Sequence, residues 1–328
     1  MRTFGATLAF TILTASAFGV QFSFDIQPNL GDHTGLDLLG DSTIWLRTMT
    51  TQPDPDRREE TYKVYTHIFD FDGEAPITKG AGGKYSHHRG MFIGWNHTKI
   101  GDAEFDTWHM KNCTQNHKSW LELAPGEDKA TQVEQVDWCD NKGEPFIREV
   151  RAITALPGPD GSRIFDFQST LISLRGPIQL RGDLQHAGMQ VRMANEVSEH
   201  EGTTHYTLPK GIEEQADNRV EGAWWVCCSP VVREKRYWLM HMTPQDHPTG
   251  VPVYSIRRYA RFGAFFEPDL QEGESLTVNF RILVSEKELD QEYCCSLACL
   301  KILIRIPFSS RPLNSSSGEI FDGVFKRT

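Results

Sequence analysis

Two imidazoles and a guanidinium stand side by side at His87, His88 and Arg89, and these residue types suit proton transfer or the binding of metals and anions. Histidine titrates near neutral pH, whereas arginine is a permanently charged fork for carboxylate or phosphate. In a regular strand His88 would point away from the other two. Because Gly82 and Gly83 precede the trio and permit tight turns, we expect a loop. We expect it to bring His88 to a ligand as a catalytic imidazole, with His87 and Arg89 binding substrate. The alternative is a loop whose imidazoles bond to backbone carbonyls.

A carboxylate and an imidazole lie three residues apart at Asp106 and His109, and Trp108 stands beside the histidine. A neighbouring carboxylate raises the pKa of an imidazole and selects its tautomer. Tryptophan offers a flat apolar face on which a sugar ring can stack. The pattern favours His109 as a catalytic residue and Trp108 as a substrate-binding residue. The alternative is an interior tryptophan with a hydrogen-bonded histidine neighbour.

Residues 186–193 alternate between polar and apolar side chains, which is the period of a strand. His186, Gln190 and Arg192 share one face, and Met189 and Val191 share the other. An imidazole, an amide and a guanidinium on one face would suit a hydroxyl-rich ligand. We therefore predict that these three polar residues bind substrate, with an ordinary solvated sheet face as the alternative.

Three further candidates lie between residues 254 and 267. Tyr254 and Arg257 belong to a segment that is rich in cations for an acidic chain. Both are predicted to bind substrate, with a buried ion network as the alternative. Glu267 ends the apolar run 262–266. A carboxylate at the end of a buried strand can have a raised pKa, so Glu267 is the predicted general base.

No metal ligand and no cofactor are predicted, although a divalent metal stays an open alternative. Met240, His241 and Met242 are of types that suit Cu(I). In a strand, however, both methionines point away from the histidine, which favours a buried strand with methionine packing. Ligands from distant segments could still converge in space.

Short apolar or alternating runs, bounded by Gly, Pro, Asp or Asn, must position these residues. They span 62–71, 90–97, 146–155, 164–174, 189–197, 223–232, 236–242, 253–266 and 276–284. Such spacing predicts an all-β fold, an antiparallel β-sandwich or barrel. Because there is no repeat and no low-complexity linker, residues 20–293 are predicted to form one domain, with a short closing helix at 286–293.

The two ends of the chain differ from this pattern. Arg2 and the apolar run 6–13, followed by small residues up to Gly19, predict a signal peptide over residues 1–19 and a secreted or periplasmic protein. The run is too short to span a bilayer. Residues 294–328 form an atypical tail. The net charge of −10 argues against nonspecific nucleic-acid binding.

Several motifs, in this order, carry a family resemblance. They occupy residues 65–73, 84–96, 106–110, 182–192, 254–259 and 261–268. Together they resemble the secreted bacterial family labelled methane oxygenase PmoA, common in planctomycetes, over residues 20–292. The resemblance implies a secreted β-sandwich, similar to galactose-mutarotase-like supersandwiches, that accompanies carbohydrate-degrading systems. A membrane oxygenase subunit needs spanning helices, so the label does not itself imply that chemistry.

Three functions follow as hypotheses. The first is a carbohydrate-active enzyme, such as a sugar epimerase, lyase or glycoside hydrolase, that uses His and Glu for proton transfer. The second is a noncatalytic carbohydrate-binding protein. The third is a metal-dependent oxygenase, as the family label suggests. In each case the partner is a carbohydrate or another small polar ligand, with no nucleic acid and no membrane span.

Overall fold

A computed structural model describes residues 19–299. The predicted signal peptide, apart from Gly19, and the tail from residue 300 onward lie outside the described residues. In chain order the strands are β1 (Phe22–Leu30), β2 (His33–Gly40), β3 (Thr43–Met49), β4 (Tyr65–Ile68), β5 (Met91–Trp95), β6 (His97–Ile100), β7 (Ala103–Phe105), β8 (Cys113–Ala124), β9 (Ala130–Asp140), β10 (Pro145–Pro157), β11 (Arg163–Ser173), β12 (Ile178–Arg181), β13 (Ala187–Arg192), β14 (His205–Thr207), β15 (Arg219–Glu221), β16 (Trp225–Ser229), β17 (Val231–Val232), β18 (Lys235–Arg236), β19 (Trp238–Met242), β20 (Val253–Arg257), β21 (Arg261–Phe265), β22 (Asp269–Leu270) and β23 (Ser275–Ser285).

Helices are short and few in the described part of the chain. The two α-helices are α1 (Arg58–Thr61) and α2 (Gln291–Cys299), and the 3-10 turns are Pro55–Arg57, Pro159–Gly161, Asn195–Ser198 and Glu201–Thr203. Within residues 19–299, neither α-helix has the length and apolar character that crossing a membrane requires.

Two large antiparallel sheets form the body of the described chain. One has the order β1-β2-β3-β4-β5-β13-β21-β20-β15, and the other has the order β14-β16-β19-β23-β11-β10-β9-β8. Their inner faces meet in a continuous apolar core, where Trp95 of the first sheet lies 6.2 Å from Trp138 of the second, measured between ring centroids. The predicted all-β antiparallel sandwich is therefore confirmed.

The closing helix lies further along the chain than expected. Helix α2 runs from Gln291 to Cys299, whereas the sequence placed a helix at 286–293. Cys294 and Leu297 are buried against Trp225 and Met240 on the outer face of the eight-stranded sheet. The first residues of the segment that looked atypical are thus packed onto the sandwich.

The nine-stranded sheet is covered on both faces around β5 and β13. Ile93 and Met189 face the main core. Phe92, Gln190 and Arg192 have the opposite orientation, because strand side chains alternate, and they too are fully buried. The alternation was predicted correctly, but the polar face is covered by loops.

Two glycines allow backbone to approach closely here, from a covering turn at Gly94 and from the neighbouring strand β21 at Gly188. Gly188 pairs with Gly94 across β13 and β5. A Cβ at Gly94 would lie 2.5 Å from the carbonyl oxygen of Thr107, and one at Gly188 would lie 2.0 Å from that of Ala264. Gly188 also has a φ of 84°, which L side chains adopt only with strain. Both positions therefore require glycine.

We expect Gly188→Ala to lower the free energy of unfolding by about 3 kcal/mol, since left-handed strain of about 1–2 kcal/mol adds to overpacking of about 1–3 kcal/mol. Urea denaturation measures the loss. Gly176→Ala is the matched control, because Gly176 has a φ of 87° with nothing within 4 Å of its Cβ position. Equal losses in the two variants would contradict the steric explanation.

Candidate functional site

Three connecting segments meet over the outer face of β5 and β13. They are the loop that precedes β5, the turn between β7 and β8, and the turn that precedes β13. The second turn is tied to β5 by a bond from Thr107 N to Trp95 O of 2.8 Å, and the third by a bond from Asn96 N to His186 O of 2.9 Å. Two distant parts of the chain are thereby held at the same strand end.

Each segment contributes one imidazole to a common point. The ring centroids of His87 and His109 are 4.3 Å apart, those of His109 and His186 are 4.8 Å apart, and those of His87 and His186 are 6.3 Å apart. One ring nitrogen from each lies within 4.8 Å of the other two, and all three residues are half-buried. We call His87, His109 and His186 the three-histidine centre.

Two of these imidazoles are oriented by carboxylates. The Nδ1 of His109 lies 2.8 Å from Asp106 Oδ2, and the Nδ1 of His186 lies 2.8 Å from Asp183 Oδ1. An N–H at Nδ1 that donates to a carboxylate leaves the Nε2 lone pair available. Both aspartates occur three residues before their histidine, so the same carboxylate–imidazole contact occurs twice.

Burial and hydrogen bonding set the charges at the centre. Although burial alone would raise it, the pKa of Asp106 is lowered by the side-chain and backbone hydrogen bonds from His109. The pKa of Asp183 is lowered in the same way by His186 and the backbone of Gln185, against the opposing effect of burial. Burial lowers the pKa of His186 despite the bond from Asp183. Two carboxylates thus carry negative charge beside the imidazoles of His109 and His186.

His87 is the imidazole without a partner of this kind. Its Nε2 is buried and has no hydrogen-bond partner within residues 19–299. Burial, followed by the nearby His109 and Lys63, lowers the pKa of His87 to about 2. The ring is therefore neutral and keeps a lone pair at neutral pH.

The predicted loop at 87–89 is present, but its residues are used differently from the prediction. His88, expected as the catalytic imidazole, is 2% exposed and lies with its ring 6.0 Å from that of Tyr259. Arg89 is fully buried and donates to the carbonyls of Ser86, His88 and Glu59. It fixes the loop that carries His87. The sequence could not separate the two imidazoles, because turn residues do not follow the alternation of a strand.

Trp108 is fully buried, so its face is not exposed as the predicted stacking surface would be. Its ring lies 4.8 Å from that of Phe92. Gln190 and Arg192 are also buried. The amide of Gln190 accepts a hydrogen bond of 3.1 Å from Arg261. These residues form a layer beneath the three-histidine centre.

The remaining candidates lie apart from the three imidazoles. The hydroxyl of Tyr254 lies 2.8 Å from Thr243 Oγ1 inside the core, and Arg257 donates to the carbonyls of Asp217 and Ile256. Glu267 is exposed, which differs from the predicted buried setting because β21 ends at Phe265. Its carboxylate accepts the backbone N–H of Gly182 at 2.9 Å, so it anchors the turn that carries Asp183.

Asp183, which orients His186, was not among the candidates that the sequence suggested. Its signal was available, since Asp106-x-x-His109 and Asp183-x-x-His186 share one spacing. A repeated spacing of this kind suggests a repeated role. Asp183 precedes the alternating run 186–192, so the strand pattern does not include it.

The fold and the site define an antiparallel β-sandwich protein with a three-histidine centre on the outer face of one sheet. The chain belongs to a family of unknown function, DUF6807, whose profile matches residues 41–298. The expected membership in the family labelled methane oxygenase PmoA is therefore wrong, because the family that matches has no assigned function. A search of curated proteins finds no match.

Solved structures offer only distant similarity. The chain is similar to a GalM/aldose epimerase homologue from C. elegans, with 8% identity, a TM-score of 0.34, and coverage of 80% of this chain and 99% of the other. A putative kojibiose phosphorylase from the human microbiome has 8% identity and a TM-score of 0.28, with coverage of 77% of this chain and 31% of the other. A TPR-domain containing protein from Parabacteroides distasonis also has 8% identity and a TM-score of 0.28, with coverage of 84% and 55%. Similarity this low does not identify an activity.

One buried histidine outside the centre makes stability depend on pH. His241 is fully buried, with its Nδ1 3.2 Å from the hydroxyl of Tyr254. Burial lowers the pKa of His241 from 6.5 to about 3. The unfolded chain therefore takes up a proton near pH 6.5 that the folded protein excludes until about pH 3. This contribution to stability is complete above pH 6.5 and decreases as the pH falls from 6.5 towards 3.

We expect His241→Gln to flatten the decline in unfolding free energy between pH 6.5 and pH 4 by up to about 1.4 kcal/mol per pH unit, the value for one proton. Urea denaturation at a series of pH values measures the slope. Burial also lowers the pKa of His67 to about 3. Because His67 keeps its contribution in the variant, the slope does not vanish. Parallel slopes in wild type and variant would contradict the assignment.

Proposed function

We propose that the three-histidine centre binds one divalent metal ion, and that the protein is a metal-dependent enzyme acting on a small polar ligand, with carbohydrates as the first candidates. The observation that carries this proposal is the convergence of His87, His109 and His186 with ligand atoms within 4.8 Å of one another. Zinc is the ion that three imidazole ligands suit best.

The spacing of the nitrogens supports the proposal. A triangle with sides of at most 4.8 Å has a point within about 2.8 Å of every corner, whereas zinc–imidazole bonds are about 2.0–2.1 Å long. Side-chain rotations that shorten each distance by less than about 1 Å would complete the site.

The charges around the ring nitrogens also suit a cation. Histidine ligands of metals usually donate their other N–H to a carboxylate, which fixes the tautomer and increases basicity. Asp106 and Asp183 hold His109 and His186 in that way. Their two negative charges balance a divalent ion.

The degree of exposure favours catalysis over a purely structural role. The side chains of His109 and His186 are 23% and 26% exposed, so solvent reaches the centre. Three protein ligands with an open fourth position are typical of catalytic zinc, whereas structural sites are closed. A bound ion would polarise a ligand oxygen or lower the pKa of water. His87, His109 and His186 would orient it, and the two aspartates would fix their rings.

A metal-free acid–base enzyme is the second candidate. The Asp106–His109 contact of 2.8 Å is the observation that favours it, since a carboxylate-oriented imidazole is a common general base. A carbohydrate-binding protein without turnover stays the third possibility. Secretion, which residues 1–19 predicted, is part of the proposal and would bring the protein to extracellular or periplasmic sugars.

We expect protein purified without chelator to contain close to one equivalent of zinc or another divalent ion per chain, measured by elemental mass spectrometry. His87→Ala and His109→Ala should each reduce this content strongly, because each removes one of three ligands. His97→Ala is the matched control, since His97 is 58% exposed and pairs with Glu104 away from the centre.

Wild-type protein that neither contains nor takes up a stoichiometric divalent ion would refute the metal proposal. Activity on a sugar substrate that survives exhaustive chelation, yet is lost in His109→Ala, would favour the acid–base candidate instead.

The orienting aspartates allow a graded test. We expect Asp106→Asn and Asp183→Asn each to weaken zinc affinity about 10- to 100-fold, the usual cost of losing such a carboxylate. Competition with a chromophoric chelator measures the affinity. Asp102→Asn, at an exposed turn position, is the control and should leave it unchanged. Wild-type affinity in both aspartate variants would show that the carboxylates do not act through the histidines.

A further inference from the structure

A concentration of buried cations lies around and beneath the three-histidine centre. None of its members forms an ion pair with a carboxylate within residues 19–299. They are Lys63, Lys79, Arg89, Arg192 and Arg261, each 3% exposed or less. A buried charge without a counter-charge costs several kcal/mol, so this arrangement requires an explanation.

The same protein neutralises another buried arginine in the usual way. Arg151 is 1% exposed, and its guanidinium lies 2.8 Å from Glu149 Oε2 and 3.9 Å from Glu134 Oε1. Arg163, which is 5% exposed, also lacks such a pair, since it donates to the carbonyls of Asp70 and Phe71. What distinguishes the site is therefore the number of such cations that lie close together.

Two of the cations stand directly opposite each other. Arg192 of β13 pairs with Arg261 of β21 in the antiparallel register, a placement that like charges disfavour. Arg192 donates to the carbonyls of Met193 and Tyr259, and Arg261 donates to Gln190 and Ser255. All four acceptors are neutral. Arg192 Nε, Arg192 Nη2 and Arg261 Nε are buried without any partner.

Further unpartnered nitrogens lie next to this pair. Both ring nitrogens of His88 and the Nε1 of Trp108 are buried and lack partners in the described chain. The two rings are 6.0 Å apart, and the Cζ of Arg261 lies 5.8 Å from the Trp108 ring. We call His88, Trp108, Arg192 and Arg261 the buried donor cluster. Native proteins leave few buried polar atoms unpaired, so these six side-chain nitrogens, two of them in the imidazole of His88, together point to a missing acceptor.

We propose that the buried donor cluster binds the anionic group, a carboxylate or a phosphate, of a sugar-sized ligand whose other end reaches the three-histidine centre. This deepens the proposed function by naming its substrate class as acidic, and it rests on that function only for the reaction. Trp108 joins the two regions, because its ring is also 5.7 Å from that of His186. Arginine forks and N–H donors are the groups that recognise such oxyanions.

Tyr85 packs over one side of the buried donor cluster. Its ring lies 4.6 Å from that of Tyr259 and 5.5 Å from that of His88, while Tyr259 in turn lies over Arg192 at 4.9 Å. Tyr85 is 38% exposed and has a φ of 56° just after Gly82 and Gly83, which also have positive φ. A bulky side chain in this conformation is strained. Outward rotation of the Tyr85 side chain would open the cluster to a ligand.

The test compares matched ligands on the full chain after treatment with EDTA. Isothermal titration and thermal shift at constant ionic strength would measure D-glucuronate, D-glucose 6-phosphate and D-glucose. We expect one or both anions to bind at least about 30-fold more tightly than glucose, the fold-change that about 2 kcal/mol of charge-assisted bonding produces. The stronger anion identifies carboxylate or phosphate as the natural group.

Arg261→Met should abolish this preference, because it removes one guanidinium while keeping the volume. Arg175→Met is the control for net charge, since Arg175 pairs with Asp140 at a half-exposed position. Equal affinity for glucose and both anions in wild type would overturn the proposal, and so would an anion preference that persists in Arg261→Met. If Arg261→Met does not fold, the wild-type comparison decides alone.

The chelator treatment separates this inference from the metal proposal. Anion preference in metal-free protein supports the donor cluster whatever the metal content proves to be. Preference that appears only after zinc is restored would mean that the anion binds the ion, and this would overturn the cluster as the anion site while supporting the metal centre.

Discussion

Desolvation of the outer face of β5 and β13 is the constraint on which the site depends. Loops and turns cover that face, so its imidazoles, amide and guanidinium groups lie in a medium where charges are costly and hydrogen bonds are strong. Burial is accordingly the first cause of the lowered pKa of His87 and of His88. Gly94 permits this covering, because its missing side chain lets the backbone of Thr107 lie directly on the sheet.

The site has an ordered distribution of charge from solvent to interior. Asp106 and Asp183, which contact His109 and His186, are partly exposed to solvent. Arg192 and Arg261, in contrast, are fully buried. A ligand that carries an electron-rich oxygen at one end and a full negative charge at the other would match this arrangement of histidines and arginines. The chain as a whole is acidic, with a net charge of −10. A locally positive site would therefore bind anions more selectively, since nonspecific anions are repelled elsewhere.

The sequence predicted the architecture better than the site. Period-2 alternation identified most strands of the sandwich and the correct faces of residues 189–192, because strand geometry is local. It could not tell that both faces are buried, since that depends on loops from elsewhere in the chain. His109 and His186 were recognised from their residue types, whereas the positions of His87 at the centre and of His88 in the buried layer arise in a turn. Trp108 and Glu267 were misjudged for burial, which is a tertiary property.

The anchoring of two turns to the same end of β5 has a consequence for assembly. The three histidines are separated by 22 and 77 residues along the chain (109 − 87 and 186 − 109), and they meet only after β5 has paired with β13. An unfolded chain therefore offers isolated imidazoles and no chelate. An ion that the three hold together would stabilise the native state by nearly its whole binding energy. Such an ion would bind only at a late stage of folding, after the long-range contacts of the sandwich have formed. Topologies with many long-range contacts fold slowly.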